Sequence, residues 1–163
     1  MEFVQGISLR QYLESRNQPM SFTEAWNFLL PVMEALEKVH QNKLIHRDIS
    51  PDNFIIKEDG SIKLLDFGSA REYAEEKTMT VLVKKGYAPP EQYSRKGKQG
   101  PWTDIYSICA TLYEMITGVI PQPAMERLKA DKLYLPSSYG CDITPLQEKI
   151  LMKGLALDYK KTI

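Results

Sequence analysis

The chain has 163 residues with 21 Lys+Arg against 21 Asp+Glu, so its formal charge is zero and nothing electrostatic argues for a nucleic-acid or membrane-surface partner. With 43% hydrophobic and 26% charged residues it is not a disordered tract, and its length suits one domain, residues 1–163, with its own core. Two distant cysteines, Cys109 and Cys141, argue against a disulfide framework or zinc site and fit a reducing, cytoplasmic setting. The start Met1-Glu2-Phe3 lacks a leader pattern, and no apolar run of about 18 residues predicts a membrane span.

In chain order, residues 1–4 read as a short extended piece ending at Gly6, followed by a helix from Leu9 to about Arg16. From Ser21, the apolar positions Phe22, Trp26, Leu29, Leu30, Met33, Leu36 and Val39 recur at helical spacing and predict a long amphipathic helix bent at Pro31. Trp26 and, further on, Tyr113 read as core, and His40 as a helix C-terminal or surface residue. The runs 54–57 and 62–65, split by Glu58-Asp59-Gly60-Ser61, predict a hairpin. Pairing Lys57 with Ile62 sets Asn53 opposite Asp66 and aims an amide oxygen and a carboxylate at one point, both ligands of the kind magnesium prefers. A polar stretch from Ser69 to Lys85 leads to Gly86-Tyr87-Ala88-Pro89-Pro90-Glu91. A helix apolar nearly all round from Asp104 to Thr117, stopped by Gly118, reads as the buried axle, and a last helix from Pro145 to about Leu157 is capped by Thr144.

Three motifs stand in order: His46-Arg47-Asp48 with Asn53 beyond it, Asp66-Phe67-Gly68, and Pro89-Pro90-Glu91. With them the chain resembles the C-terminal lobe of a protein kinase, and the wording His46 to Asn53 and Gly86 to Tyr93 is similar to bacterial Ser/Thr kinases. The resemblance implies a mainly helical α+β fold with a small β-hairpin carrying the site. Residues 1–5 would be the hinge, 46–53 the catalytic loop and 66–91 the activation segment, with the N-terminal lobe absent and the lobe cut short at its C-terminal end. It also implies ATP- and Mg2+-dependent phosphoryl transfer to a protein substrate. In that reading Asp48 orients the hydroxyl and accepts its proton, while Asn53 and Asp66 hold magnesium. The backbone at Glu2 and Val4 meets adenine over an apolar floor of Leu9 and Ile55. His46 and Phe67 stack toward the buried helix, and Asp104 bonds the catalytic-loop backbone. Thr78 and Thr80 are candidate phosphosites near Arg47.

The chain departs from the family pattern in three places. It has no G-x-G-x-x-G and no strand lysine before the hinge, so the polypeptide by itself is expected to transfer little phosphate. Ser50 stands where Ser/Thr kinases usually carry a phosphate-contacting lysine, and Lys84 stands where they usually carry a threonine. That reciprocal exchange predicts that the Lys84 ammonium fills the space beside Ser50 and Asp48. Thr162 stands where an arginine usually pairs with the glutamate of the third motif, so Glu91 is expected to lack that partner unless Lys160 or Lys161 replaces it. The alternative from another class is a non-catalytic, pseudokinase-like interaction module. An uncovered floor at Val4, Leu9 and Ile55 would favour self-association.

Overall fold

Helix α3, Pro101–Thr117, is the central buried helix, and Tyr106, Ile108, Ala110, Leu112, Tyr113, Met115 and Ile116 are all buried along it. It begins three residues before Asp104 because Pro101 fits the first helical position, where no backbone donor is needed. It ends at Gly118, whose left-handed φ of 72° lets its N–H bond back to the Glu114 carbonyl. Its buried hydroxyls do not go unpaired. Thr111 and Thr117 each donate to the carbonyl four residues earlier, at 3.0 and 2.7 Å, and Ser107 donates to the Tyr87 carbonyl at 2.8 Å. The computed structural model describes residues 5–65, 71–72 and 83–162.

Helix α1 covers Leu9–Ser15 and helix α2 Phe22–Gln41. Ser8 and Ser21 cap them, each accepting a hydrogen bond from the backbone three residues on. Helix α2 buries Ala25, Leu29, Val32 and Leu36 as one stripe against α3 and runs through Pro31, which lies on the exposed face. Trp26 is not core: it is 40% exposed and stacks on Phe22 at 5.9 Å. One residue past Ala25 rotates it about 100° off the buried stripe. Tyr113 is buried as expected.

Helix α4, Ala124–Arg127, and helix α5, Pro145–Gly154, close the lower half. Thr144 caps α5 in a reciprocal box with Gln147. The helix stops short of Leu157, and a 3-10 turn follows at Tyr159–Lys161. At Gly154 the chain presses on α3, where an added Cβ would stand 2.2 Å from Cys109 Sγ. Arg127 is buried and spends its donors on the Leu155 carbonyl at 2.8 Å, the Tyr106 hydroxyl at 3.1 Å and Asp131 at 2.9 and 3.0 Å.

Strand β1, Ile7–Ser8, pairs antiparallel with β3, Phe54–Ile56, which pairs with β4, Ile62–Leu64. Two further short strands, β2 (Leu44–Ile45) and β5 (Arg71–Glu72), pair with each other. The hairpin register differs by one residue from the expectation. Ile56, not Lys57, faces Ile62, because Lys57 belongs to the turn: its N–H donates to the Ser61 carbonyl at 2.9 Å and its carbonyl accepts from Gly60 at 2.9 Å. Asn53 is therefore aligned with Leu65, whose N–H donates to the Asn53 carbonyl at 2.7 Å, rather than with Asp66. No helix among the described residues is long and apolar enough to cross a membrane.

Candidate active site

Strand β2 delivers the chain to His46, and from there the loop is tied to the first turn of α3 by one carboxylate. Asp104, 1% exposed, accepts the His46 N–H on Oδ2 at 2.8 Å and the Arg47 N–H on Oδ1 at 2.9 Å. Arg47 has a φ of 70°, costly for a side-chain-bearing residue, and these bonds hold it there. The Arg47 carbonyl in turn accepts from Gln92 Nε2 at 2.8 Å. His40 joins the cluster through Nε2, 2.8 Å from Asp104 Oδ2, so it is a tie between the end of α2 and α3 rather than a surface residue. The His46 ring is fully buried, its Nε2 3.0 Å from the Leu65 carbonyl and its Nδ1 3.3 Å from the Asp48 N–H. A carbonyl can only accept and a backbone N–H can only donate, so the ring carries its hydrogen on Nε2.

These ties place Asp48 at the open side of the loop. Asn53 donates through Nδ2 to the Asp48 carbonyl at 2.7 Å, which commits its nitrogen and leaves Oδ1 as a hard oxygen donor beside the carboxylate. That oxygen suits magnesium. The partner expected for it, Asp66, lies outside the described residues, and among the described residues no three His, Cys, Asp or Glu side chains gather into a metal-holding group. Lys84 reaches the same place from the other segment. Its Nζ donates to Ser50 Oγ at 2.9 Å and stands 3.4 Å from Asp48 Oδ1.

The turn at 84–88 is anchored by a group that the sequence reading missed. Tyr87 donates its hydroxyl hydrogen to Glu114 in the last turn of α3, and Arg10 of α1 donates to both Glu114 and the Tyr87 oxygen. Burial, reinforced by Glu114, pushes the Tyr87 phenol well above its ordinary range. Burial works against the Arg10 cation, but its bonds to Tyr87 and Glu114 outweigh that and hold it above the usual guanidinium value. The signal available in the sequence was one glutamate among the apolar residues Leu112, Tyr113, Met115 and Ile116. Arg10 also stands 3.7 Å from Asp52.

Glu91 is held by the Thr103 hydroxyl, which donates at 2.9 Å, and burial raises its carboxyl above the ordinary value. Among the described residues no cation pairs with it. Lys160 and Lys161 are exposed and do not take the place of an arginine. The adenine floor also needs correction at Leu9, which is fully buried in the main core and presents no surface to a ring or to a second copy of the chain. Ile55 is half-buried, paired with Ser8 and Lys63. Glu2, Val4, Phe67, Thr78 and Thr80 lie outside the described residues.

The sequence matches the protein kinase domain over residues 1–144. It is 31% identical over 169 residues to the probable serine/threonine-protein kinase PknB of Lactococcus lactis, covering 98% of this chain and 27% of that protein. Against the serine/threonine-protein kinase PrkC of Bacillus subtilis it is 34% identical over 170 residues, with 97% and 26% covered. Against the serine/threonine-protein kinase PknL of Mycobacterium tuberculosis it is 37% identical over 141 residues, with 80% and 35% covered. The chain thus spans between a quarter and about a third of the length of these relatives. The protein kinase domain matched over residues 1–144, together with a mainly helical fold that holds the half-buried Asp48 and Asn53 on one loop, places the chain in the protein kinase family.

Proposed function

We propose that this lobe performs the C-terminal half of a Ser/Thr protein kinase reaction: transfer of the γ-phosphoryl group of ATP to a hydroxyl of a protein substrate. The observation that carries the reading is the pairing of Asp48 and Asn53 on a loop locked by Asp104, since the Asn53 amide hydrogen is spent on the Asp48 carbonyl at 2.7 Å. In such a reaction the protein mainly positions groups and offsets charge. Asp48 accepts a hydrogen bond from the substrate hydroxyl, orients its oxygen toward phosphorus, and takes the proton as the new bond forms. Asn53 Oδ1 and the Asp66 carboxylate are the residues that would hold Mg2+, which when bound offsets the phosphate charge. Gln92 and Asp104 keep the Asp48 loop fixed against both segments.

The backbone at Glu2 and Val4 and the half-buried Ile55 are the proposed adenine contacts, and Thr78 and Thr80 the proposed phosphosites. A cytoplasmic setting, where ATP is abundant, suits the two free cysteines. The polypeptide of 163 residues contains no glycine-rich phosphate-covering loop, so by itself it is expected to transfer little phosphate. Calorimetric titration with Mg-ATP tests the reading. Saturable binding that weakens about tenfold or more in Asn53→Ala supports it. Absence of binding leaves the interaction-module reading in its place.

A further inference from the structure

Between Asp48 and Asn53 the loop offers no positive charge. Ile49, Ser50 and Pro51 are buried and uncharged, and Asp52 is acidic. Phosphoryl transfer to a hydroxyl beside Asp48 nevertheless needs a cation against the equatorial phosphate oxygens, where preorganised charge acts most strongly. The Lys84 ammonium stands at this place, 2.9 Å from Ser50 Oγ and 3.4 Å from Asp48 Oδ1. Its side chain is 37% exposed, so the charge faces the open side of the loop rather than the core, and the next lysine, Lys85, points to solvent.

The Lys84 backbone is fixed as firmly as the side chain. Its carbonyl accepts from both the Tyr87 and the Ala88 N–H at 3.1 Å. Tyr87 is held in turn by Glu114, by Arg10, and by Ser107, whose hydroxyl donates to the Tyr87 carbonyl at 2.8 Å. The turn is therefore built on α3, and the ammonium is presented from it across to the loop.

We propose that the phosphate-contacting cation of this site is Lys84, carried by the activation segment instead of the catalytic loop, so that the stretch from Asp48 to Asn53 gains a positive charge only when the 84–88 turn is docked on α3. The inference rests on the kinase reading above. In the step, the substrate oxygen bonds to γ-phosphorus while the bond from phosphorus to the bridging oxygen breaks. The electron pair of that bond stays on the ADP oxygen and the hydroxyl proton passes to Asp48. Lys84 exchanges neither atoms nor electrons and only offsets charge.

The reciprocal exchange tests this in the complete gene product, with kcat and KM for ATP measured on a generic protein substrate. Lys84→Thr is expected to lower kcat by about 10²-fold or more, with KM for ATP changed far less, because the charge acts mainly in the transition state. The double variant Ser50→Lys/Lys84→Thr, which returns a lysine to the loop, is expected to recover most of that loss. Wild-type kcat in Lys84→Thr overturns the proposal, and so does a loss that Ser50→Lys fails to repair, which would make Lys84 a structural residue of the turn. Failure of the kinase reading is separately visible, as wild-type protein without transfer or with transfer that survives Asp48→Asn.

Discussion

Removing the Asp104 carboxylate should be among the most damaging single polar changes in the lobe. In Asp104→Ala the buried His46 N–H and the partly buried Arg47 N–H lose a charged acceptor at 2.8 and 2.9 Å, and His40 loses its partner at 2.8 Å. A hydrogen bond to a charged group contributes about 1.5–3 kcal/mol, and a buried donor left unpaired keeps its desolvation cost. Two backbone donors together set the loss at about 3–6 kcal/mol, against a total stability of about 5–15 kcal/mol for a domain. Urea unfolding should show it as a lower midpoint with an unchanged slope, and thermal unfolding as a drop on the order of 10 °C for a chain of this size. Asp104→Asn keeps one acceptor oxygen but turns an NH2 toward the other donor, so it should fall between the two. The positive φ of Arg47 makes the effect local as well: backbone amides of 46–48 should exchange faster in both variants. A loss below about 1 kcal/mol in Asp104→Ala would refute the idea that this carboxylate sets the loop.

Other outcomes follow from particular contacts. Glu91 has its carboxyl raised by burial, so the folded state holds the proton more tightly than the unfolded chain, and stability should fall as pH rises from the ordinary 4.5 through the raised value. Glu91→Gln keeps the bond from Thr103 and should flatten that dependence and be neutral or stabilising at pH 7, as urea midpoints across the range will show. Glu114→Ala takes its short-range partner from the Arg10 cation, whose side chain is 19% exposed, and leaves it only Asp52 at 3.7 Å; it should cost about 2–4 kcal/mol, whereas Arg10→Leu/Glu114→Leu should cost clearly less in the same denaturation assay. Gly154→Ala places a methyl 2.2 Å from Cys109 Sγ and should cost about 1–3 kcal/mol, with part of it returned by Cys109→Ala in a double-mutant cycle.

Local chemistry made the helices readable. The threonine cap at 144, the helical period of α2 and the glycine stop of α3 are all short-range signals, and the structure places the three helices where they point, although the buried stripe of α2 runs through Ala25 and Val32 and leaves Trp26 and Leu30 exposed. The hairpin register was not readable to one residue, because Lys57 is as acceptable at the end of a strand as in the turn that it joins. Trp26 shows the related weakness of spacing arguments at the rim of a stripe, where one residue's rotation decides between core and surface. The reciprocal residues Ser50 and Lys84 were legible as a pair because each is odd for its place, and the structure brings them to 2.9 Å. The Arg10–Tyr87–Glu114 group joins three elements far apart in the chain, and nothing local in any of them announces the others.

The central claim is that Asp48 serves phosphoryl transfer to a protein hydroxyl. The direct measurement is transfer of labelled γ-phosphate from Mg-ATP to a generic protein substrate by the complete gene product, beside its Asp48→Asn variant. The account predicts transfer by the wild type on serine or threonine and a fall of about 10²-fold or more in the variant with nucleotide binding retained. Transfer that Asp48→Asn leaves intact, or no transfer by a wild type that binds Mg-ATP, would contradict it.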